Sequence, residues 1–186
     1  MNRRDQLLKT AVNLFRRHGY QATAIDRILS ESGVSKPTLY RHFDSKDALI
    51  MAALEVWDVE WRGLLIDAMS EPGVPPRERL LALYDVLEAW FEDDMFRGCM
   101  FINATVEFSE ESHPAHKVTA DHKRVLAAQI RDIVARGGAD DPEETAAALM
   151  LLMEGAVVTA HLFGDTRSAR LARIMAEGIL DQPGIA

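Results

Sequence analysis

An all-α fold of about nine helices is predicted, and three observations carry the prediction. Apolar residues recur at three- and four-residue steps along nearly the whole chain. No segment alternates as a half-buried strand does. Glycine and proline clusters cut the pattern into helix-length pieces. Nearly half of the 186 residues are hydrophobic, enough for a real core and too many for a disordered chain.

The first helix is predicted over residues 3–18. Leu7, Leu8, Ala11, Val12, Leu14 and Phe15 form its apolar stripe, Arg3, Arg4, Lys9, Arg16 and Arg17 lie outside it, and Gly19 ends it. Thr23 is predicted to open the second helix, with Asp26 as the reciprocal partner of a capping box and Ile25, Ile28 and Leu29 facing inward. Gly33 makes a tight turn and Val34 plugs a small core. Ser35 can cap the third helix, and Pro37 falls in its first turn, where a missing N–H costs little. Leu39 and Phe43, four residues apart, bury the inner face and leave Lys36, Thr38, Tyr40, Arg41 and His42 outside. A glycine turn followed by a short polar and basic helix is the second half of a helix-turn-helix, the unit that lays a recognition helix in the DNA major groove.

Ser45 caps a fourth helix extending to about Met69, with Leu49, Ala53, Trp57, Trp61 and Leu65 at four-residue steps. The segment Glu71–Pro76 breaks it. A fifth helix follows to Phe91, and Gly98 to Phe108 forms a short apolar sixth. Pro114 opens a seventh to about Arg136, residues 143–163 form an unusually apolar eighth, and residues 166–181 a ninth. A helix apolar on nearly all sides must be covered on all sides: it is either fully central in the chain or, the reading adopted here, at a subunit interface, where small Ala and Gly residues allow close approach.

Charge agrees with the motif. Residues 1–50 carry nine Lys and Arg against five Asp and Glu, a net +4, whereas residues 51–186 carry a net −12. Phosphate attraction is local and is screened beyond about 8–10 Å, so a basic head on an acidic body suits a protein that touches DNA with one end only. The single cysteine, Cys99, allows no internal disulfide and fits a reducing cytoplasm, with a small buried residue as its expected role. The N-terminus lacks the apolar stretch of a signal peptide, and the longest uninterrupted apolar run, Ala146 to Met153, is far shorter than the roughly 18 residues of a membrane span, so no membrane partner is expected.

Residues 1–50 resemble the N-terminal domain of the TetR family of transcriptional regulators. The matching positions are Ala11-Val12-Asn13-Leu14-Phe15, His18-Gly19-Tyr20, Thr23, Ile25, Ile28, the run Gly33 to Phe43, and Ser45-Lys46-Asp47-Ala48-Leu49. A looser similarity to a subset of these regulators covers Arg97 to Ala104 with Glu107-Phe108. The resemblance implies a helix-turn-helix DNA-binding domain over residues 1–47 and a helical effector-binding and dimerisation domain over residues 48–186. It also implies DNA contacts from Thr23, Ser35, Lys36, Pro37, Thr38, Tyr40, Arg41, His42 and Lys46. One departure is Asp26, preceded by Ala24, where relatives often carry Thr or Ser and a basic residue. A carboxylate there repels phosphate and leaves the helix's N-terminal amides as its means of holding an anion.

The candidate ligand-binding set is Trp57, Trp61, Trp90, Met100, Phe101, Asn103, Ala104 and Phe108. Large rings at helical spacing also read as ordinary core. Asn103 is the more pointed feature, because a buried amide needs partners. The candidate dimer interface is Leu149, Leu152, Met153, Ala156, Val157, Ala160 and His161, with Leu171, Ile174 and Met175 from the ninth helix. His113, His116 and His122 are too loosely spaced for a metal site and read as capping or surface residues, so no metal or other cofactor is expected. No Ser/His/Asp grouping or phosphate-binding glycine loop supports an enzyme.

The expected protein is a homodimeric regulator of a palindromic double-stranded DNA operator. Repression, relieved by a small apolar or aromatic effector, is the expected outcome, because an operator-bound dimer blocks polymerase. The alternative is a DNA-binding regulator with no small-molecule effector, controlled by a protein partner or by its own abundance.

Overall fold

In the computed structural model, residues 2–181 are described, and among them there are nine α-helices and no strand. They are α1 (Arg3–His18), α2 (Ile25–Ser32), α3 (Lys36–His42), α4 (Lys46–Ala68), α5 (Pro76–Phe91), α6 (Met100–Glu107), α7 (Pro114–Arg136), α8 (Pro142–Phe163) and α9 (Arg167–Leu180). Contacts group the chain into two compact units, residues 1–60 with 99–121 and residues 61–98 with 122–186. The division differs from a cut after residue 47, because α6 and the start of α7 group with the N-terminal helices. α4 and α7 each run from one unit into the other.

In the first unit α1, α2 and α3 pack on one another. Leu7, Leu8, Ala11, Val12, Leu14 and Phe15 form the buried stripe of α1, and Ile28, Val34, Leu39 and Phe43 close the small core. Ile25 and Leu29, expected inside, are only half-buried. Asn2 caps α1, its side chain accepting the Asp5 N–H at 2.9 Å. Gly33 ends α2 at φ +64°, a left-handed conformation that favours glycine.

Two predicted caps are replaced. α2 begins at Ile25, with Ala24 at its N-cap and no side-chain cap bond. Thr23 instead turns fully inward, and its hydroxyl donates to the Gly19 carbonyl at 2.6 Å. Ser35 does occupy the N-cap of α3, but its hydroxyl pairs with that of Thr38 at 2.9 Å and bonds no helix amide.

In the second unit α5, α8 and α9 pack together. The Tyr84 hydroxyl donates to the Leu149 carbonyl at 3.0 Å, and burial holds that hydroxyl well above its ordinary titration range, so it remains a donor. Ser168 donates to the Ala156 carbonyl at 2.9 Å, tying α9 to α8. Arg77–Asp181 at 2.7 Å and Arg173–Asp85 at 3.0 Å link α5 to the C-terminal end and to the middle of α9. α8 is long and apolar enough, by length and composition, to cross a membrane, with mean hydropathy 1.7 over its best window. Glu154 divides its two apolar stretches, so no uninterrupted apolar run reaches that length. One stripe of it packs within the unit, and 33% of that window is buried.

Replacing Thr23 by Val keeps shape but leaves the Gly19 carbonyl without its buried donor. Chemical denaturation should show a loss of about 1–3 kcal/mol.

Candidate functional site

Two constraints build α3. Leu39 and Phe43 anchor one face in the core, with the Arg4 guanidinium lying over the Phe43 ring at 5.5 Å. Pro37 in the first turn fixes the entry to α3. The opposite face is thereby presented outward. Lys36, Pro37, Tyr40, Arg41 and His42 are exposed and Thr38 is half-exposed. Tyr40 is 44% exposed, its ring available at the surface.

Asp26 is a neighbour of this face. Its carboxylate stands 3.8 Å from the Lys36 ammonium, both side chains being exposed. Such a pair is worth little in water, so a phosphate or guanine edge can displace it. The acidic departure on α2 thus restrains Lys36 in the free protein.

Two of the expected DNA contacts are otherwise engaged. The Thr23 side chain is fully buried and cannot reach a phosphate, which corrects its assignment as a DNA contact. Lys46 is half-buried, and its ammonium donates to the Gln21 carbonyl at 3.2 Å, across the turn between α1 and α2.

That turn has a second partner, not anticipated from the sequence. The Glu107 carboxylate, at the end of α6, accepts the Tyr20 N–H at 3.0 Å and the Gln21 N–H at 2.7 Å. Tyr20 is buried, its ring 5.2 Å from Phe15 and 5.9 Å from Phe108, and its hydroxyl donates to the Met100 carbonyl at 2.8 Å. Only the looser similarity around Glu107-Phe108 hinted at a role here.

The candidate ligand residues fall into separate groups. Trp61 and Trp90 meet at 4.2 Å, and Trp90 also contacts Phe91 at 5.9 Å and Phe96 edge-on at 4.9 Å. The Trp90 indole N–H is buried without a hydrogen-bond partner, as is one carboxylate oxygen of Glu154. The other Glu154 oxygen accepts from Lys123 at 2.6 Å. Trp57 belongs to the first unit. The Arg16 guanidinium lies 4.3 Å above its ring, and both line a groove of about 450 Å³ with Arg4, Lys9, Val12 and Val56.

Met100, Phe101, Ala104 and Phe108 are buried on or beside α6, and Asn103 is half-buried. Phe108 stacks on His113 at 4.1 Å, so it serves the packing of this unit. His116 pairs through a ring nitrogen with the Phe108 carbonyl at 2.6 Å.

The dimer set also divides. Leu149, Met153, Ala156, Val157 and Ala160 are buried within the single chain, which corrects their assignment to a face that meets a partner. Leu152 is half-buried, and His161 is exposed with its ring against Gly98 and edge-on to Phe96. Leu171, Ile174 and Met175 are exposed. The uncovered stripe of α8 is Leu151, Val158, Leu162 and Phe163, of which Leu151 is 74% and Phe163 77% exposed. The three- and four-residue steps through Leu151, Gly155, Val158 and Leu162 could have identified it.

Known proteins align with this architecture. The family model for bacterial regulatory proteins of the tetR family matches residues 7–53, and that for the tetracyclin repressor-like C-terminal domain matches residues 76–176. The HTH-type transcriptional regulator YjdC of Escherichia coli (strain K12) is 24% identical over 181 residues, covering 95% of this chain and 93% of its own. The uncharacterized HTH-type transcriptional regulator YerO of Bacillus subtilis (strain 168) is 35% identical over 96 residues, 49% of this chain but only 31% of its own length. A crystal structure of a TetR-family transcriptional regulator from Streptomyces coelicolor superposes with a TM-score of 0.88 at 30% identity, covering 95% of this chain and 93% of that one. An all-α chain with an outward recognition helix, matched by family models over both its N-terminal and its C-terminal parts, belongs to the TetR family: it is a DNA-binding transcriptional regulator and not an enzyme.

Proposed function

We propose that this chain acts as a cytoplasmic homodimer that represses transcription from a palindromic operator and is released by a small apolar or aromatic effector. In this division of labour residues 1–47 bind DNA and residues 48–186 bind effector and partner. The observation that carries DNA recognition is the outward face of α3, where Lys36, Thr38, Tyr40, Arg41 and His42 stand together on a net-basic head. Lys36 suits guanine O6 and N7, while Thr38 and Tyr40 suit a thymine methyl or a phosphate. Replacing Lys36 or Tyr40 by Ala should weaken binding to a duplex selected in vitro by about 1–3 kcal/mol each, and wild-type affinity should fall steeply with added salt. Fluorescence anisotropy checks both. Unchanged affinity in both variants removes α3 from the recognition role.

Dimerisation is supported by the exposed apolar stripe of α8 and by Leu171, Ile174 and Met175 on its neighbour α9. An uncovered patch of that kind calls for a partner surface, and a two-fold dimer sets two recognition helices about 34–36 Å apart, one turn of DNA, or a multiple of it. Placing Asp at Leu151 or Leu162 should yield a folded monomer in sedimentation, because both side chains lie outside the chain's own core. A wild-type monomer at micromolar concentration that still binds DNA tightly refutes the dimer.

Effector control is supported by the aromatic cluster of Trp61, Trp90, Phe91 and Phe96 with its unpaired indole N–H. An unsatisfied buried donor costs about 1–3 kcal/mol, which a ligand acceptor would recover. The effector class is therefore an apolar or aromatic body carrying a carbonyl, ether or phenolic oxygen. Compounds that raise the melting temperature should change indole fluorescence and lower operator affinity together, and operator must alter their affinity by the same factor. Trp90→Phe should weaken them by about tenfold while sparing DNA binding. A broad screen without one such compound favours the regulator without an effector.

A further inference from the structure

We propose that Glu107 is a positioning residue for DNA binding: by holding the turn between α1 and α2 it sets the aim of the helix-turn-helix pair. The role rests on the DNA-binding, ligand-controlled reading above. The two oxygens of one carboxylate accept two successive backbone N–H groups, those of Tyr20 and Gln21, from a turn 86 and 87 residues away in the chain. Two consecutive amides converging on one anion form a charge-assisted site, stronger than two bonds between neutral groups.

The approach is close. A Cβ on Gly19, which sits at φ +79°, would stand 2.7 Å from a Glu107 oxygen, so the fit depends on glycine at that position. The opposite end of α6 is fixed to the same turn, because the buried Tyr20 hydroxyl donates to the Met100 carbonyl. Burial, with the Cys99 thiol and the Glu107 carboxylate nearby, holds that hydroxyl far above its ordinary titration range and keeps it a donor. The first and last residues of a single eight-residue helix are thus both bonded to the residue that follows Gly19.

The turn leads directly into α2 and α3. α2 has no side-chain cap of its own, so the path of the chain through residues 19–24 sets how the helix-turn-helix pair is aimed. Lys46 holds the Gln21 carbonyl from α4, so the same residue is gripped by a cation from one helix and an anion from another. Glu107 touches none of the base-reading side chains. It acts through the turn and is a positioning residue.

The test uses full-length wild type, Glu107→Gln, Glu107→Ala and Gly19→Ala with a duplex selected in vitro. Hydrogen exchange at the Tyr20 and Gln21 amides should accelerate about tenfold or more in both Glu107 variants, as one charge-assisted bond per amide is weakened or lost. Operator affinity should fall about tenfold while the salt slope stays at the wild-type value, because the phosphate contacts are unchanged in number and only their aim is loosened. The change in Trp61 and Trp90 fluorescence produced by operator binding should shrink in the same variants, a readout that a purely stabilising residue would not move.

Gly19→Ala, which pushes the carboxylate away from the other side, should reproduce the affinity loss, and it stands in if Glu107→Ala does not fold. Wild-type exchange together with operator affinity within about twofold of wild type in Glu107→Gln and Gly19→Ala overturns the positioning role alone. A wild-type protein that selects no duplex overturns the DNA-binding reading and, with it, the role given to Glu107.

Discussion

The turn between α1 and α2 is where the geometry of the DNA-binding head is decided. Ending one helix and starting another within six residues strands several backbone donors and acceptors, and each must find a partner. Here the partners come from elsewhere in the chain. The Thr23 hydroxyl takes the Gly19 carbonyl, Lys46 takes the Gln21 carbonyl, and Glu107 takes the Tyr20 and Gln21 amides. Gly19 tolerates both its positive φ and the neighbouring carboxylate. A short three-helix head with a small core has little stability to lose, so side chains from α4 and α6 complete what α1 to α3 cannot supply themselves.

Charge is distributed to the same end. The head is basic and the remainder acidic, which confines phosphate attraction to one surface. Within that surface the groups are graded. Arg41 and His42 stand exposed, Lys36 is lightly restrained by Asp26, and Lys46 is committed to the turn. An exposed pair such as Lys36–Asp26 is easily exchanged for a stronger anion, whereas the Lys46 contact helps to shape the head before any DNA arrives.

α8 serves two surfaces with one composition. Leu149, Met153, Ala156, Val157 and Ala160 fill the interior of the second unit, while Leu151, Val158, Leu162 and Phe163 face outward. Glu154 is accommodated on this helix by Lys123, at the edge of the buried stripe. A helix can thus be apolar on nearly all sides without being central to its own unit.

Helix number and most helix boundaries were legible in the sequence, because helical periodicity and glycine or proline breaks are local signals: Gly19, Gly33 and the Glu71–Pro76 segment end helices where they were read to do so. The outward face of α3 was legible too, since Leu39 and Phe43 leave only one side free. Long-range partners decided the rest. Thr23 looked like a cap and became a buried donor, because the carbonyl it satisfies belongs to the end of the preceding helix. Trp57 and Trp61 share a helix stripe, yet one lies beneath Arg16 and the other against Trp90. Which apolar stripe of α8 faces inward is set by α5 and α9, against which its smaller residues Ala146, Ala156 and Ala160 are buried. Glu107 carried no signal beyond the looser family similarity, since its partners are backbone amides, which every residue except proline possesses and which only the folded chain brings within reach.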